Sequence, residues 1–382
     1  MFGASAAFRA VAATIVALVL AWQFGGQQAL GRIDPALALP LLSLPALLLA
    51  WSMRREAKPL RWRAVGLALA MILILQALLA TFLSARPPWP QLGLVAIAWA
   101  VVALAADALL QWQRGRVVRL LLAAALVAGW FIASHALLAM LYRPVAARGP
   151  AVIMLTGLPL RWSEGNDLAA VLARGMNEDP ALARLRQAGS VELVDSIVDN
   201  PPRKGSVLFL AHPRALAPQE LVAIDAFVRG GGRAVILADA LTGWPMRHPI
   251  GDPRNPPVTS LLTPLFDHWG VALAAASPGD RGALAVDVGN ARLQLFSAGR
   301  FERLPLACRA HANRHIAMCP IGKGQAWIVG DADLLFAPLW QPQPIWADHL
   351  RRADTMEWLA SHLWVHAPEA ALQPLWIRTS AG

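Results

Sequence analysis

The sequence predicts two folds in tandem, an α-helical membrane domain over residues 1–145 and an α/β domain over residues 150–382, and three observations carry that expectation. Five long apolar runs all fall before residue 145, and β-branched runs alternate with helical stretches after it. The charge divides as well. Residues 1–150 hold 13 Lys/Arg against 3 Asp/Glu and the remainder holds 21 of each, so the whole net charge of +10 belongs to the first part. A basic excess confined to short connections between apolar runs is a topology signal, and it argues against nucleic acid as a partner.

The apolar runs cover residues 10–22, 36–53, 64–84, 92–112 and 117–142. The last three reach the roughly 20 residues that a helical crossing needs, while the first two are shorter and the second carries Pro40 and Pro45. Only Arg9 precedes the first run and no small-x-small cleavage pattern follows it, so it reads as an uncleaved helix. One connection holds Arg54, Arg55, Lys58, Arg61 and Arg63, and another holds Arg114, Arg116 and Arg119, whereas the loops around Arg32 and Arg86 carry one basic residue each. The positive-inside rule assigns the two basic loops to the cytoplasm. The fifth run then leads outward, and the expectation is a multi-pass protein of a bacterial inner membrane, in contact with membrane lipid, with its C-terminal domain in the periplasm. Asp107 lies near the cytoplasmic end of its run, where a carboxylate reaches headgroups or nearby arginines.

After a short linker, residues 152–158 form a continuous β-branched and apolar run suited to a buried central strand. A loop over 159–166, helices over 167–176 and 180–188, and strands over 191–197 and 207–211 follow. A helix over 218–229 has Pro218 and Glu220 in its first turn and Gly230, Gly231 and Gly232 after its last, the expected start and stop chemistry, and leads into a strand over 233–238. Strands and helices alternating at this spacing predict a mostly parallel sheet covered on both faces. A helix over 258–269 closes at Gly270. Shorter strands over 284–288, 292–296, 304–308, 316–319 and 325–329 suit an antiparallel extension, and a terminal helix over 355–362 follows.

Three ordered pieces carry a family resemblance. The first is a strand ending at His212-Pro213-Arg214, a helix bearing Glu220-Leu221 and Asp225, the glycine triplet, and a strand ending at Asp239. The second is Ser260-Leu261-Leu262 followed by Trp269-Gly270-Val271, and the third is Gly322-Lys323-Gly324 followed by Val329-Gly330-Asp331-Ala332-Asp333. In this order they resemble the auxiliary domain of gliding-motility-type ABC transport systems. The resemblance implies a class I glutamine amidotransferase-like fold with a flavodoxin-like sheet, and an ABC transporter permease and ATPase as partners.

Catalysis in an amidotransferase-like fold needs a thiol or hydroxyl nucleophile on the sharp turn after a central strand, paired with a His and a carboxylate. The turns here present His212-Pro213-Arg214 and Asp239-Ala240-Leu241, without Cys or Ser. A binding-only version of the fold is the leading expectation, and a membrane-bound hydrolase or amidase using strand-end carboxylates is the alternative. Ligands of open parallel sheets sit outside the carboxyl ends of the strands. Thr156, Glu164, His212, Arg214, Asp239, Asp331 and Asp333 are therefore the candidate ligand cleft, although Asp and Thr at loop ends also serve plain turn chemistry. No cofactor and no metal is expected. The two cysteines, Cys308 and Cys319, bracket His311 and His315. Outside the cytoplasm the pair favours a disulfide, with free thiols and a zinc site as the alternatives.

Overall fold

The computed structural model describes residues 4–84, 86–112, 115–163, 176–249, 251–252, 254–364 and 369–378. Contacts divide the chain into two compact units, the first comprising residues 1–143, 342–351 and 369–378 and the second residues 144–341, 352–368 and 379–382.

In the helical unit α1 (Ala4–Gln23) leads through a short α2 (Gln27–Leu30) to a 3-10 turn over Pro35–Leu41 and α3 (Ser43–Ser52). The long helices α4 (Lys58–Leu83), α5 (Trp89–Gln111) and α6 (Arg116–Leu141) follow. Among the described residues four helices are long and apolar enough to cross a membrane. The second apolar run is not a straight span: its two halves meet at 60°. Pro40 removes an amide from the ladder there, and Trp130 Nε1 donates to the Leu39 carbonyl at 2.7 Å.

Alanine spacing explains the packing of α1 on α4. Ala6, Ala10, Ala13, Ala17 and Ala21 are all buried, as are Ala64, Ala68 and Ala80 on α4. Small side chains at helical spacing let two helix backbones approach closely. Asp107 is held by Arg61, with Nε to Oδ1 at 2.7 Å and Nη2 to Oδ2 at 3.1 Å.

The C-terminal segments of this unit return to the helix ends. Ile33 N donates to Leu375 O at 2.9 Å, Ile377 N to Gly31 O at 3.0 Å, and Leu372 N to Leu141 O at 3.0 Å. The domain boundary drawn near residue 145 therefore leaves out two segments that belong with the helices.

The second unit is built on β1 (Val152–Thr156), β2 (Arg161–Ser163), β3 (Met176–Glu178), α7 (Pro180–Ala188), β4 (Val191–Leu193), β5 (Val207–Ala211), α8 (Pro218–Arg229) and β6 (Arg233–Leu237). It continues through α9 (Thr263–Trp269), β7 (Ala272–Ala274), β8 (Ala283–Val288), β9 (Ala291–Phe296), β10 (Arg300–Arg303), β11 (Arg309–His311), β12 (Ile316–Ile321) and β13 (Gly324–Val329). The last helices are α10 (Ala337–Trp340) and α11 (Thr355–Leu363). The main sheet runs β11-β12-β13-β6-β5-β1-β4. Strands β13, β6, β5, β1 and β4 pair in parallel, and β12 and β11 add antiparallel. Cores line both faces, with Phe209 and Val235 in one and Leu208, Ile224 and Ile236 in the other.

Several elements differ from the sequence reading. The strand over 325–329, expected in the antiparallel extension, pairs in parallel with β6. Apolar patterning fixes which face a strand buries but not its direction. Residues 304–308 are not a strand, and β8 and β9 form a separate hairpin outside the main sheet. The strand from Val191 stops at Leu193 because the chain turns where Glu220 accepts from Ser196 Oγ at 2.6 Å and Ile197 N at 2.7 Å. The helix expected over 258–269 begins at Thr263, and Arg161–Ser163 pairs with Met176–Glu178. Most of the helix expected over 167–176 lies outside the described residues, and its last residue, Met176, is in β3. Cys308 and Cys319 are joined by a disulfide, their Cα atoms 4.2 Å apart.

Candidate functional site

Strands β1, β5, β6 and β13 are parallel neighbours, so their carboxyl ends open on one edge and bring together residues far apart in the chain. Asp239 follows β6, and Asp331 and Asp333 follow β13. One carboxylate oxygen from each lies within 4.8 Å of the others, and all three residues are buried.

Backbone amides hold this cluster. Asp331 Oδ2 accepts from Phe296 N at 2.7 Å and Oδ1 from Asp333 N at 2.7 Å. Asp333 Oδ1 accepts from Thr242 Oγ1 at 3.2 Å and Oδ2 from Gly243 N at 2.6 Å. A Cβ at Gly243 would stand 2.8 Å from Asp333 Oδ2, so only glycine permits this approach. Asp239 Oδ1 accepts from Leu241 N at 3.0 Å, whereas its buried Oδ2 accepts no hydrogen bond of normal geometry. Among the described residues no Lys, Arg or His forms an ion pair with any of the three.

Desolvation and mutual repulsion show in the acidities. Burial, with the Asp333 charge behind it, raises Asp239 to about 8. Burial raises Asp333 to about 6 against the opposing amide of Gly243, and burial followed by the Asp239 and Asp333 charges pushes Asp331 well above the carboxylate range. The three groups titrate as a set.

His212 stands at the end of β5 with a left-handed backbone, φ 49°. Both ring nitrogens are occupied: Nε2 donates to Pro257 O at 2.8 Å and Nδ1 accepts from Asp239 N at 3.4 Å. Burial holds the imidazole below its usual range. It clamps two loops and has no nitrogen left to take a proton from a nucleophile. Thr156 is likewise committed, its Oγ1 donating to Ala211 O at 2.7 Å and accepting from Leu158 N at 3.0 Å. Arg214 is exposed, and Glu164 lies outside the described residues. Of the seven candidates, the structure brings Asp239, Asp331 and Asp333 into one focus and sets the His212 ring beside Asp239.

A cavity of about 260 Å³ opens beside the cluster, with Asp239, Thr259, Ser260, Thr263 and Asp267 among its lining residues. The donors Thr242, Gly243 and Phe296 were not legible as site residues. Thr242-Gly243, three residues past the strand-end aspartate, was the available signal.

The comparisons with known proteins bear on this unit. Residues 150–293 match the family described as an ABC-type uncharacterized transport system. The match covers a little over a third of the chain. No curated protein matches. Similar solved structures include the exo-β-1,4-mannosidase Op5Man5 from Opitutaceae bacterium strain TAV5, at 12% identity and TM-score 0.33, covering 56% of this chain and 36% of that one. A β-galactosidase from Bacillus circulans sp. alkalophilus stands at 14% and 0.27, covering 50% and 30%. The mmIFT52 N-terminal domain stands at 12% and 0.29, covering 40% and 78%. The chain thus spans about a third of the length of these two glycosidases.

Proposed function

We propose that the chain is a membrane-tethered auxiliary protein of an ABC-type transport system, with its α/β unit serving outside the cytoplasm as a non-enzymatic interaction or sensing domain. The observation that carries this reading is the family match over residues 150–293, which falls on the α/β unit of a chain whose other unit supplies the apolar helices. A permease and an ATPase are then the protein partners, and lipid surrounds the helices. The basic residues Arg54, Arg55, Lys58, Arg61 and Arg63 support a cytoplasmic side for their loop, which makes α6 the outward helix and the α/β unit periplasmic in a bacterial inner membrane. The parallel strands β4-β1-β5-β6-β13 stand second, first, third, fourth and fifth in chain order, which supports a flavodoxin-like sheet of the amidotransferase-like kind.

The occupied nitrogens of His212 and the missing Cys or Ser at the turn support a non-enzymatic role. The alternative, a hydrolase or amidase, draws on the converging carboxylates. Against it, all four oxygens of Asp331 and Asp333 already accept hydrogen bonds.

Three measurements on the full chain test the reading. Tagged protein isolated from its own membranes in mild detergent should bring down an ABC ATPase and permease in fixed ratio, and alkaline phosphatase fused to the C-terminus should be active. An inactive fusion contradicts the topology. Isolation without an ATPase contradicts the partnership, and amide hydrolysis abolished by Asp239→Asn would favour the enzyme.

A further inference from the structure

We propose that Asp239, Asp331 and Asp333 bind one hard divalent cation, with calcium the best fit. Ligand oxygens on opposite sides of a calcium ion, each 2.3–2.6 Å from it, stand roughly 4.6–5.2 Å apart. Three carboxylate oxygens within 4.8 Å of one another can therefore share a single ion.

A buried acidic cluster alone does not make a site, and here a second observation points to a ligand. Asp239 is wholly buried, yet its Oδ2 accepts no hydrogen bond of normal geometry from an amide, a hydroxyl or a basic side chain, and the Asp333 carboxyl is the side chain that meets it. The Ala332 amide favours ionisation of this group, but it does not reach Oδ2 with normal hydrogen-bond geometry. A cation supplies the missing partner. The surrounding amides suit that role: Phe296 N, Asp333 N, Gly243 N and Leu241 N each occupy one lone pair and fix a carboxylate's orientation, leaving the other lone pairs for a metal.

Access and stoichiometry follow from the neighbourhood. A cavity lined by Asp239, Thr259, Ser260 and Thr263 adjoins Asp239, and water from it would complete the six to eight oxygens that calcium prefers. Three carboxylates around one divalent ion leave a net negative site, which favours calcium over a monovalent ion and excludes an anionic ligand bound directly to the bare cluster. Soft metals are disfavoured because every ligand is oxygen. This inference does not rest on the transport reading.

The test uses the full chain in detergent, stripped with chelator and titrated calorimetrically with calcium chloride and, separately, magnesium chloride. One calcium per chain is expected, with the midpoint of thermal unfolding raised, and Asp239→Asn should weaken binding at least tenfold. Asp252→Asn, which alters a carboxylate paired with exposed Arg254, should bind as wild type. Trp244, beside Gly243, provides a readout that leaves the ligands untouched: terbium bound at the cluster should emit when tryptophan is excited, calcium should quench that emission, and Trp244→Phe should lose most of it. Folded wild-type protein that takes up neither metal at millimolar concentration overturns the proposal, as does undiminished calcium affinity in folded Asp239→Asn. If that variant does not fold, terbium emission unchanged in Trp244→Phe overturns it instead.

Discussion

The molecule buries carboxylates in two regions and neutralises them differently. In the helical unit Asp34 is wholly buried, and its Oδ2 accepts from Arg32 Nη2 at 2.5 Å and Tyr142 Oη at 2.6 Å. Arg32, also wholly buried, donates Nη1 to His349 O at 2.5 Å and lies 5.3 Å from the ring centres of both Tyr142 and Trp376. Asp34 and Arg32 meet each other, and Arg32 also faces two aromatic rings. At the strand ends of the α/β unit, by contrast, three aspartates meet only amides, a hydroxyl and one another. Removing a charge from water costs several kcal/mol unless something offsets it, and the two regions use two offsets: a guanidinium in one, a retained proton or the proposed cation in the other. The first ties distant segments of the chain together, while the second responds to pH.

That contrast predicts opposite consequences for removing a carboxylate. The largest effect should come from Asp34→Ala, which strands the Arg32 guanidinium. Breaking a buried pair from one side costs about 3–5 kcal/mol, so unfolding of the detergent-solubilised chain should shift to markedly lower denaturant. A loss below about 1 kcal/mol would mean that Arg32 finds water, and the contrast would fail.

At the strand ends the expected sign reverses. Asp239 has a folded-state pKa of about 8, above its ordinary value near 4, so the folded state holds a proton that the unfolded chain releases. Stability in chelator should therefore be greatest at low pH and fall as pH rises from about 4 to about 8, at up to about 1.4 kcal/mol per unit for one group. Asp239→Asn should remove much of that slope and make chelated protein at pH 8 more stable than wild type, as followed by thermal unfolding across pH. A flat wild-type profile would show that the carboxylates are already compensated.

Smaller effects sharpen the comparison. Thr242→Val removes one hydroxyl donor from Asp333 and should cost about 1 kcal/mol while further raising that group's proton affinity. Asp107→Asn breaks a pair whose side chains are partly accessible, 12% for Arg61 and 17% for Asp107, and should cost about 1 kcal/mol or less.

Residue patterns made the helical and α/β halves legible, and the helix bounds Pro180–Ala188 and Pro218–Arg229 follow directly from Pro at the start and Gly at the end. Asp239, Asp331 and Asp333 were legible as strand-end residues, but their convergence was not. It depends on β13 lying parallel to β6, and periodicity carries no strand direction. The Arg32–Asp34 pair was read only as a sparsely charged loop. Its partners His349 and Trp376 lie more than 300 residues away, on segments whose return to the helices leaves no local sequence signature.

The central claim is that the strand-end charge is balanced by an exchangeable proton or cation. Infrared difference spectroscopy of the full chain at pH 7, with and without calcium, measures it directly. Adding calcium should remove absorption from a protonated carboxyl and add carboxylate absorption, and Asp239→Asn should diminish the change. No loss of carboxyl absorption in calcium, or the same difference spectrum from Asp239→Asn, would contradict the account.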